Sequence, residues 1–280
     1  MLVAVCSVKG SPGVTTLATA LGARWPAAET AIVVEADPAG GDLMARFWLH
    51  ESPGLVSLAA AARRSADPLL LAQHTQYLPG GLRVVLGPVG AEQCHAALSA
   101  LTSGSSPLRR AADVPGTTVI ADCGRVDPDS PALPIIRSAD AMLLVARPCD
   151  EQLAHVVLKL PAAQRWARTP GFVLVGDGYP TREVSQVCKI EVLGRIPRDD
   201  KGAAVLCGQR GERHGPDRSA LGQAAARIAT SLLTHWSAAH YQTAPVNAGR
   251  VGAQPQVATT PQDRWDPALP PCAAPTRETV

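Results

Sequence analysis

Short runs of apolar and β-branched residues alternate with longer segments rich in Ala and Leu along the chain up to about residue 241. This alternation is typical of βαβ units, in which helices connect the strands of a parallel sheet. Because the short runs are apolar throughout, we expect both faces of the sheet to be covered. The runs predict strands at 2–8, 31–35, 82–87, 117–122, 141–146, 171–176 and 190–196. The longer segments predict helices at 15–25, 42–49, 54–65, 91–102, 150–168 and 218–241.

The predicted fold is a doubly wound, mainly parallel α/β sheet of about seven strands with helices on both faces, as in P-loop NTPases. Hydrophobic residues make up 46% of the 280, which excludes a wholly disordered chain. From residue 242 onward the sequence is rich in proline and has no hydrophobic period. Such segments rarely fold. We therefore predict one domain at 1–241 and a flexible proline-rich tail at 242–280.

The first predicted strand runs into a loop of small residues that reads K-G-S-P-G-V-T-T from Lys9 to Thr16, and then into a helix. A phosphate cradle needs this order, because backbone N–H groups and the helix dipole then converge on an anion. The hydroxyl of Thr15 would bind Mg²⁺, and the hydroxyl of Thr16 would bind an inner phosphate. For the loop alone, an ordinary βα turn punctuated by Gly and Pro is the alternative interpretation.

Acidic residues follow two further predicted strands. Asp37 comes shortly after the strand at 31–35, and Asp122 ends the strand at 117–122. The carboxyl ends of parallel strands meet at one edge, where open α/β sheets bind their ligands, so we expect both acids beside the loop. Mg²⁺ between them would explain carboxylates next to a phosphate site. Each acid alone is more often a helix cap or a turn former.

Together these motifs resemble those of the ParA/MinD family of P-loop ATPases. The loop at 9–16 is similar to the deviant Walker A motif K-G-G-x-G-K-[ST]-[ST] of that family. Residues 33–43, VVEADPAGGDL, resemble its D-x-D-P-x-G motif, and residues 118–124, TVIADCG, resemble its Walker B strand. The resemblance continues through 138–148 and 192–211 and covers roughly residues 1–240.

The resemblance implies that the chain binds ATP and Mg²⁺. Lys9 would reach the phosphates of the partner subunit across a nucleotide-sandwich homodimer. Asp37 would position the attacking water, so that Lys9 and Asp37 are the implied catalytic residues. The implied metal site consists of Thr15, Asp37 and Asp122, with Asp122 acting through water. The implied nucleotide-binding residues are Gly10, Ser11, Pro12, Gly13, Val14, Thr15, Thr16 and Pro197.

Three positions depart from the family pattern. Val14 stands where the family has its second lysine, and Glu35 stands where the first acid of D-x-D-P is usual. The Asn that usually follows the sixth strand and contacts the base is not found near Gly176. Losing one charge-assisted contact weakens binding by about 1.5–3 kcal/mol, and losing a transition-state donor slows a reaction on the order of 10²–10³-fold. We expect nucleotide binding to suffer less than hydrolysis, which should be weak or absent.

Two functions are compatible with this resemblance. In the first, ATP drives homodimerisation and creates a surface for a partner protein or nonspecific DNA. The task would be positioning or partitioning of a chromosome or plasmid, the septum, or a secretion or conjugation machinery. In the second, the chain is a catalytically dead pseudo-ATPase that ignores nucleotide and acts as a protein-interaction scaffold.

Charge and hydrophobicity limit the partners. The net charge of +2 excludes a global polycation, so DNA contact must come from a local patch such as 195–227, for which a solvated face is the alternative. The predicted last helix has an apolar stripe with few basic residues, which favours packing on the sheet over a peripheral membrane contact. The seven cysteines show no metal-binding spacing, and the sequence shows no signal peptide or membrane span. We expect a cytoplasmic protein with reduced thiols.

Overall fold

Eight strands form one sheet in the computed structural model of the chain, which describes residues 1–10, 12–102, 106–167, 170–209 and 215–243, with side chains up to residue 235. The order across the sheet is β3-β4-β2-β5-β1-β6-β7-β8. The strands are β1 Leu2–Ser7, β2 Thr30–Glu35, β3 Gln76–Tyr77, β4 Arg83–Val85, β5 Thr117–Arg125, β6 Ala141–Ala146, β7 Pro170–Val175 and β8 Glu191–Ile196.

All neighbouring strands are parallel except β3, which pairs antiparallel with β4 at one edge. Strand β1 lies between β5 and β6, and every residue of β1 is buried. In the register of the sheet, Asp122 of β5 is level with Val5 of β1 and with Glu35 at the end of β2. The three loops that follow β1, β2 and β5 therefore leave the sheet at the same edge.

Helices cover both faces of the sheet. Successive residues of β1 point to opposite sides, so Ala4 and Cys6 pack in one hydrophobic core while Val3 and Val5 pack in the other. The first core also contains residues of α3 to α9, and the second contains residues of α1, α2, α10 and α11. The helices are α1 Val14–Ala23, α2 Leu43–Phe47, α3 Leu55–Ala62, α4 Leu70–Gln73, α5 Ala91–Thr102, α6 Pro107–Ala112, α7 Leu133–Ser138, α8 Asp150–Trp166, α9 Thr181–Cys188, α10 Asp200–Leu206 and α11 Ala220–Thr243, with a 3₁₀ helix at Gly215–Arg218.

The predicted fold class is confirmed, with one strand more than the sequence predicts. The additional strand, β3, has only two residues, which is too short for a hydrophobic period to appear. Five helices were also not predicted, namely α4, α6, α7, α9 and α10. They have between four and eight residues, and two of them carry a proline in the first turn. A proline is acceptable at that position because the first helical N–H groups have no partner within the helix.

The apolar stripe of α11 packs on the sheet. Leu221, Ala225, Ile228 and Leu232 are all buried in the second core, as the packing interpretation predicts, and the side chain of Trp236 lies outside the described part of the chain. No helix among the described residues is long and apolar enough to cross a membrane. Met1–Gln242 form one compact unit. The predicted flexible tail at 242–280 falls almost entirely outside the described residues, so its flexibility stays a prediction.

Candidate functional site

Two glycines shape the loop between β1 and α1. Gly10 has φ 67° and Gly13 has φ 99°, a left-handed conformation that residues with a Cβ rarely adopt. Gly13 is also the N-cap residue of α1 and has no side chain with which to cap the helix. The first N–H groups of α1 are thus left to bond with solvent or with an anion, and the helix dipole favours an anion there.

A cleft of about 900 Å³ opens in front of this loop. It brings together residues from three of the loops that leave this edge of the sheet, and also residues of α2 and α5. The predicted site residues that line it are Gly10, Gly13, Val14, Thr15, Thr16 and Asp37. Side chains that the sequence did not single out also line it: Asp42, Arg46, His95, Arg125, Asp127 and Asp129.

The other predicted residues lie around the cleft rather than on its wall. Asp122 is buried beneath it, with only 1% of its surface exposed. Lys9 is exposed at the end of β1. Pro12 and Pro197 line a neighbouring cavity, and Ser11 lies outside the described residues.

That neighbouring cavity has a volume of about 490 Å³ and shares Gly13 and Thr16 with the cleft. Pro12 and Pro197 lie on its wall, together with Gly176 from the loop after β7. A group bound at the start of α1 would therefore have space on both sides. The cavity is where the resemblance places the base, although the sequence offers no Asn there.

The side chain of Thr15 lies near the carboxyl of Asp122, close enough to lower the pKa of that carboxyl. Asp122 Oδ1 accepts a hydrogen bond from the N–H of Gly124 at 3.1 Å. Burial raises the pKa of Asp122 to about 7; the side chain of Thr15 acts against this rise, and the negative charge of Glu35 and Asp37 adds to it. A nearby cation would favour the ionised form, as expected of a carboxylate that serves a metal.

Asp37 lies directly against the backbone of Gly124. A Cβ built on Gly124 would lie 2.0 Å from Asp37 Cγ, so a side chain at position 124 would displace this carboxyl. Asp37 Oδ1 accepts a hydrogen bond from the N–H of Ala39 at 2.8 Å. Burial raises the pKa of Asp37, the N–H of Ala39 opposes this, and the negative charge of Asp42 adds to the rise. The two acids predicted from separate motifs thus meet at one edge.

Glu35 has a structural role that the sequence did not reveal. It is 2% exposed and does not line the cleft. Its Oε1 accepts hydrogen bonds from the N–H groups of Asp42 at 2.8 Å and Leu43 at 2.9 Å, and its Oε2 accepts one from Gly87 at 3.1 Å. Burial raises the pKa of Glu35, and these three N–H groups lower it. Glu35 therefore fastens the loop that carries Asp37 to the loop after β4.

Val14 provides no polar group to the cleft. Its side chain is 7% exposed and packs in the core under α1. Among the described residues, Arg46 and Arg125 are the only lysine or arginine side chains that line the cleft.

The residues present fit a magnesium–nucleotide complex better than a metal held by protein alone. Among the described residues, no group of three or more His, Cys, Asp or Glu side chains is placed to hold a metal ion. Mg²⁺ usually keeps several waters and uses one or two carboxylates together with substrate phosphates. The hydroxyl of Thr15 and the carboxyls of Asp37 and Asp122 are hard oxygen donors of the required kind.

Comparison with known proteins gives relatives in structure only. No protein-family model and no curated protein sequence matches the chain. The ParA family ATPase of Chlorobium tepidum TLS is 18% identical, with a TM-score of 0.64 over 82% of this chain and 98% of that one. The cell division ATPase MinD of Pyrococcus furiosus is 21% identical, with a TM-score of 0.61 over 84% and 98%. The MinD of Pyrococcus horikoshii OT3 complexed with Mg-ADP is 20% identical, with a TM-score of 0.54 over 83% and 96%.

These similarities span nearly the whole of each solved chain and more than four fifths of this one. The identity is low enough that they bear on the fold rather than on the chemistry. The chain therefore has the ParA/MinD fold, with a valine where the resemblance leads one to expect the second lysine of the glycine loop.

Proposed function

We propose that the chain binds Mg²⁺–ATP in the 900 Å³ cleft and that binding drives homodimerisation, with weak or absent hydrolysis. The observation that carries this proposal is the meeting of Gly13, the Thr15–Asp122 pair and Asp37 at one edge of the sheet. A MinD of the same fold is described with Mg-ADP, which supports the choice of ligand. The biological task that we infer is positioning or partitioning, carried out through a partner protein.

The phosphates would lie at the start of α1. The N–H groups of the first helical turn donate to them, and the left-handed Gly13 lets the backbone approach closely. When bound, Mg²⁺ supplies positive charge to the phosphate oxygens. The Thr15 hydroxyl would hold this ion directly, and Asp122 would hold it through water.

Hydrolysis requires a positioned water and stabilisation of negative charge on the phosphates. Asp37 is placed at the cleft to orient a water molecule, and its raised pKa favours proton acceptance at a higher pH than an ordinary aspartate. Val14 offers no donor to the transition state. The chain would therefore keep the geometry that binds nucleotide and lose much of the rate of ATP hydrolysis.

Dimerisation would depend on Lys9. Its side chain is exposed beside the cleft, where the ammonium group can reach a second copy of the chain. The resemblance to the ParA/MinD family implies that this lysine contacts the phosphates bound to the other subunit. ATP would then bind two subunits together, because each nucleotide is completed by a residue of the opposite subunit.

A DNA-binding surface at 195–227 has little support among the described residues. Arg195 donates hydrogen bonds to the backbone oxygens of Gly176 and Tyr179, and Arg198 pairs with Asp200. Four acidic residues interleave with the seven basic ones in this segment, which is typical of a solvated face. We therefore favour a protein partner over DNA, and membrane contact is a weaker proposal still because the stripe of α11 is buried.

The test of nucleotide binding compares the melting temperature and the affinity of the full chain with and without Mg²⁺–ATP or Mg²⁺–ADP. A ligand at 100 times its dissociation constant adds about 2.7 kcal/mol of stability, which is a shift of several degrees. The Thr15→Ala variant should lose most of this shift. Thr230→Ala is the control, because Thr230 is an exposed threonine on α11 whose hydroxyl bonds only within its own helix, to the backbone oxygen of Ala226.

A pseudo-ATPase scaffold is the second candidate, and the apolar Val14 is the observation that favours it. It predicts an unchanged melting temperature in saturating Mg²⁺–ATP. Absence of binding of either nucleotide at millimolar concentration would rule out the first function and favour this second one.

A further inference from the structure

The cleft carries more negative than positive charge. Its wall includes Asp37, Asp42, Asp127 and Asp129 but only two arginines among the described residues. A triphosphate is itself an anion, and Val14 contributes no charge against it. If the proposed nucleotide binding is correct, a basic side chain inside the subunit would help Mg²⁺ to offset this negative charge.

Arg46 is held close to the first turn of α1. Its Nη1 lies 3.6 Å from the Sγ of Cys207, and the same Sγ lies 3.9 Å from the Oγ1 of Thr16. The guanidinium is thus separated from the Thr16 hydroxyl by a single sulfur atom. The backbone also fixes this side of the cleft, because a Cβ on Gly208 would lie 2.6 Å from the backbone oxygen of Arg46.

An acidic partner fixes the direction of the Arg46 side chain. Nη2 of Arg46 lies 2.5 Å from Oδ2 of Asp42, one helical turn earlier in the chain. The side chain of Arg46 is 30% exposed and that of Asp42 is 58% exposed. One edge of the guanidinium therefore pairs with Asp42, and N–H groups remain for a further anion, since arginine has five donors.

Arg125 is the other cation on the wall and is a weaker candidate. It is exposed, and its charge acts on Asp37 by lowering the pKa of that carboxyl. No salt bridge is recorded for it among the described residues, so its side chain would lose more conformational freedom on binding a phosphate.

We propose that Arg46, on α2, supplies the phosphate contact that Val14 cannot make. The planar guanidinium of arginine matches the geometry of phosphate oxygens and can bind two of them. In this arrangement the positive charge comes from α2, the helix that follows β2, rather than from the glycine loop. The inference rests on the proposed function, because it concerns the same nucleotide.

The test measures the dissociation constant of Mg²⁺–ATP for the full chain by calorimetry. Arg46→Gln should weaken binding about 10- to 100-fold, as expected for one lost charge-assisted hydrogen bond. Arg46→Lys keeps the charge and should lose less. Arg64→Gln, at an exposed arginine just after α3, should bind as the unchanged chain does.

A double variant tests whether the lost affinity is due to the missing positive charge. Adding Val14→Lys to Arg46→Gln should restore most of the lost affinity, because the new ammonium group would replace the missing cation. Melting curves without nucleotide show whether each variant folds. If Arg46→Gln does not fold, the affinity of Arg46→Lys still tests the contribution of the guanidinium.

Several outcomes would overturn the inference. If the unchanged chain binds Mg²⁺–ATP and Arg46→Gln binds it equally well, Arg46 has no such role while the proposed function stands. A larger loss in Arg125→Gln than in Arg46→Gln has the same meaning. If the unchanged chain binds no nucleotide, the inference and the proposed function both fail.

Discussion

Asp122 shows how the surroundings of one residue determine its chemistry. The sequence places an acid at the end of a strand, but the structure makes it a buried group with a pKa raised to about 7. An ordinary aspartate ionises near pH 3.8, so the metal-free native state holds its proton over several pH units in which the unfolded chain does not. Ionising this group in the folded protein is therefore unfavourable unless a cation is near.

The sign of the resulting pH dependence follows from proton linkage. Between about pH 4 and pH 7 the native state binds more protons at Asp122 than the unfolded state does, so its contribution to the free energy of unfolding falls as pH rises. Asp122→Asn should remove this contribution. Melting temperatures in EDTA between pH 5 and pH 8 should decline less steeply in the variant than in the unchanged chain. Parallel curves would show that burial does not hold the proton on Asp122.

At the scale of single residues, the motifs predicted which side chains meet but not what they do. Asp37, Thr15 and Thr16 share the cleft because strand ends in a parallel sheet converge. The part played by Glu35 was not predictable, because its partners include Gly87, far along the chain. The position of Arg46 was not predicted either; the only signal in the sequence was an arginine four residues after Asp42.

The element that forms the candidate site is the turn from β1 into α1. Its shape depends on Gly13, whose left-handed φ of 99° is unfavourable for any residue with a Cβ. The site needs the backbone there to curve around an anion. Effects of replacing Gly13 should therefore appear in stability and in nucleotide binding together.

We predict that Gly13→Ala lowers the free energy of unfolding by about 1–2 kcal/mol and removes the nucleotide-dependent shift in melting temperature. The control is Gly116→Ala. Gly116 also has a positive φ, 73°, a Cβ there would meet nothing within 4 Å, and the residue lies outside the cleft. Gly116→Ala should lower the free energy of unfolding by a similar amount and keep the nucleotide-dependent shift in melting temperature. Equal loss of the response in both variants would mean that the turn has no special role.

The elements that the sequence did not predict are all short, although the five-residue α2 and the three-residue β4 were predicted. The strands β1, β2, β5, β6, β7 and β8 follow continuous apolar runs, and their predicted limits agree within a few residues. The helices α6 and α7 were not predicted, because the prolines at 107 and 134 interrupt the apolar pattern near their first turns. Tertiary packing stabilises such short helices, and periodicity cannot show this.

At the scale of the whole molecule, the proposed function requires two copies of the chain. The candidate site has Val14 where the resemblance leads one to expect the second lysine of the glycine loop, and the exposed Lys9 is the residue that the resemblance assigns to the other subunit. A single subunit would then bind nucleotide through backbone N–H groups, a metal and the proposed contact of Arg46. Only the dimer would add the ammonium group.

This arrangement predicts that Lys9→Ala separates binding from assembly. In sedimentation with Mg²⁺–ATP, the unchanged chain should become dimeric, and with Mg²⁺–ADP it should stay monomeric. Lys9→Ala should stay monomeric with either nucleotide yet keep its shift in melting temperature. Lys159→Ala, on α8, serves as the control and should dimerise normally. Dimerisation of Lys9→Ala at the same ATP concentration would contradict the arrangement.

The three hydrogen bonds to Glu35 have a mechanical consequence. A loop that must open and close usually has weak, solvent-exposed attachments, whereas this one is tied through a buried carboxylate to the far end of β4. Pulling Asp42 and Leu43 away would leave the buried carboxylate with the N–H of Gly87 as the one remaining donor of the three, which is costly. We therefore expect residues 35–43 and the turn at Gly87 to move together, so that a displacement of this wall of the cleft would also displace the end of β4.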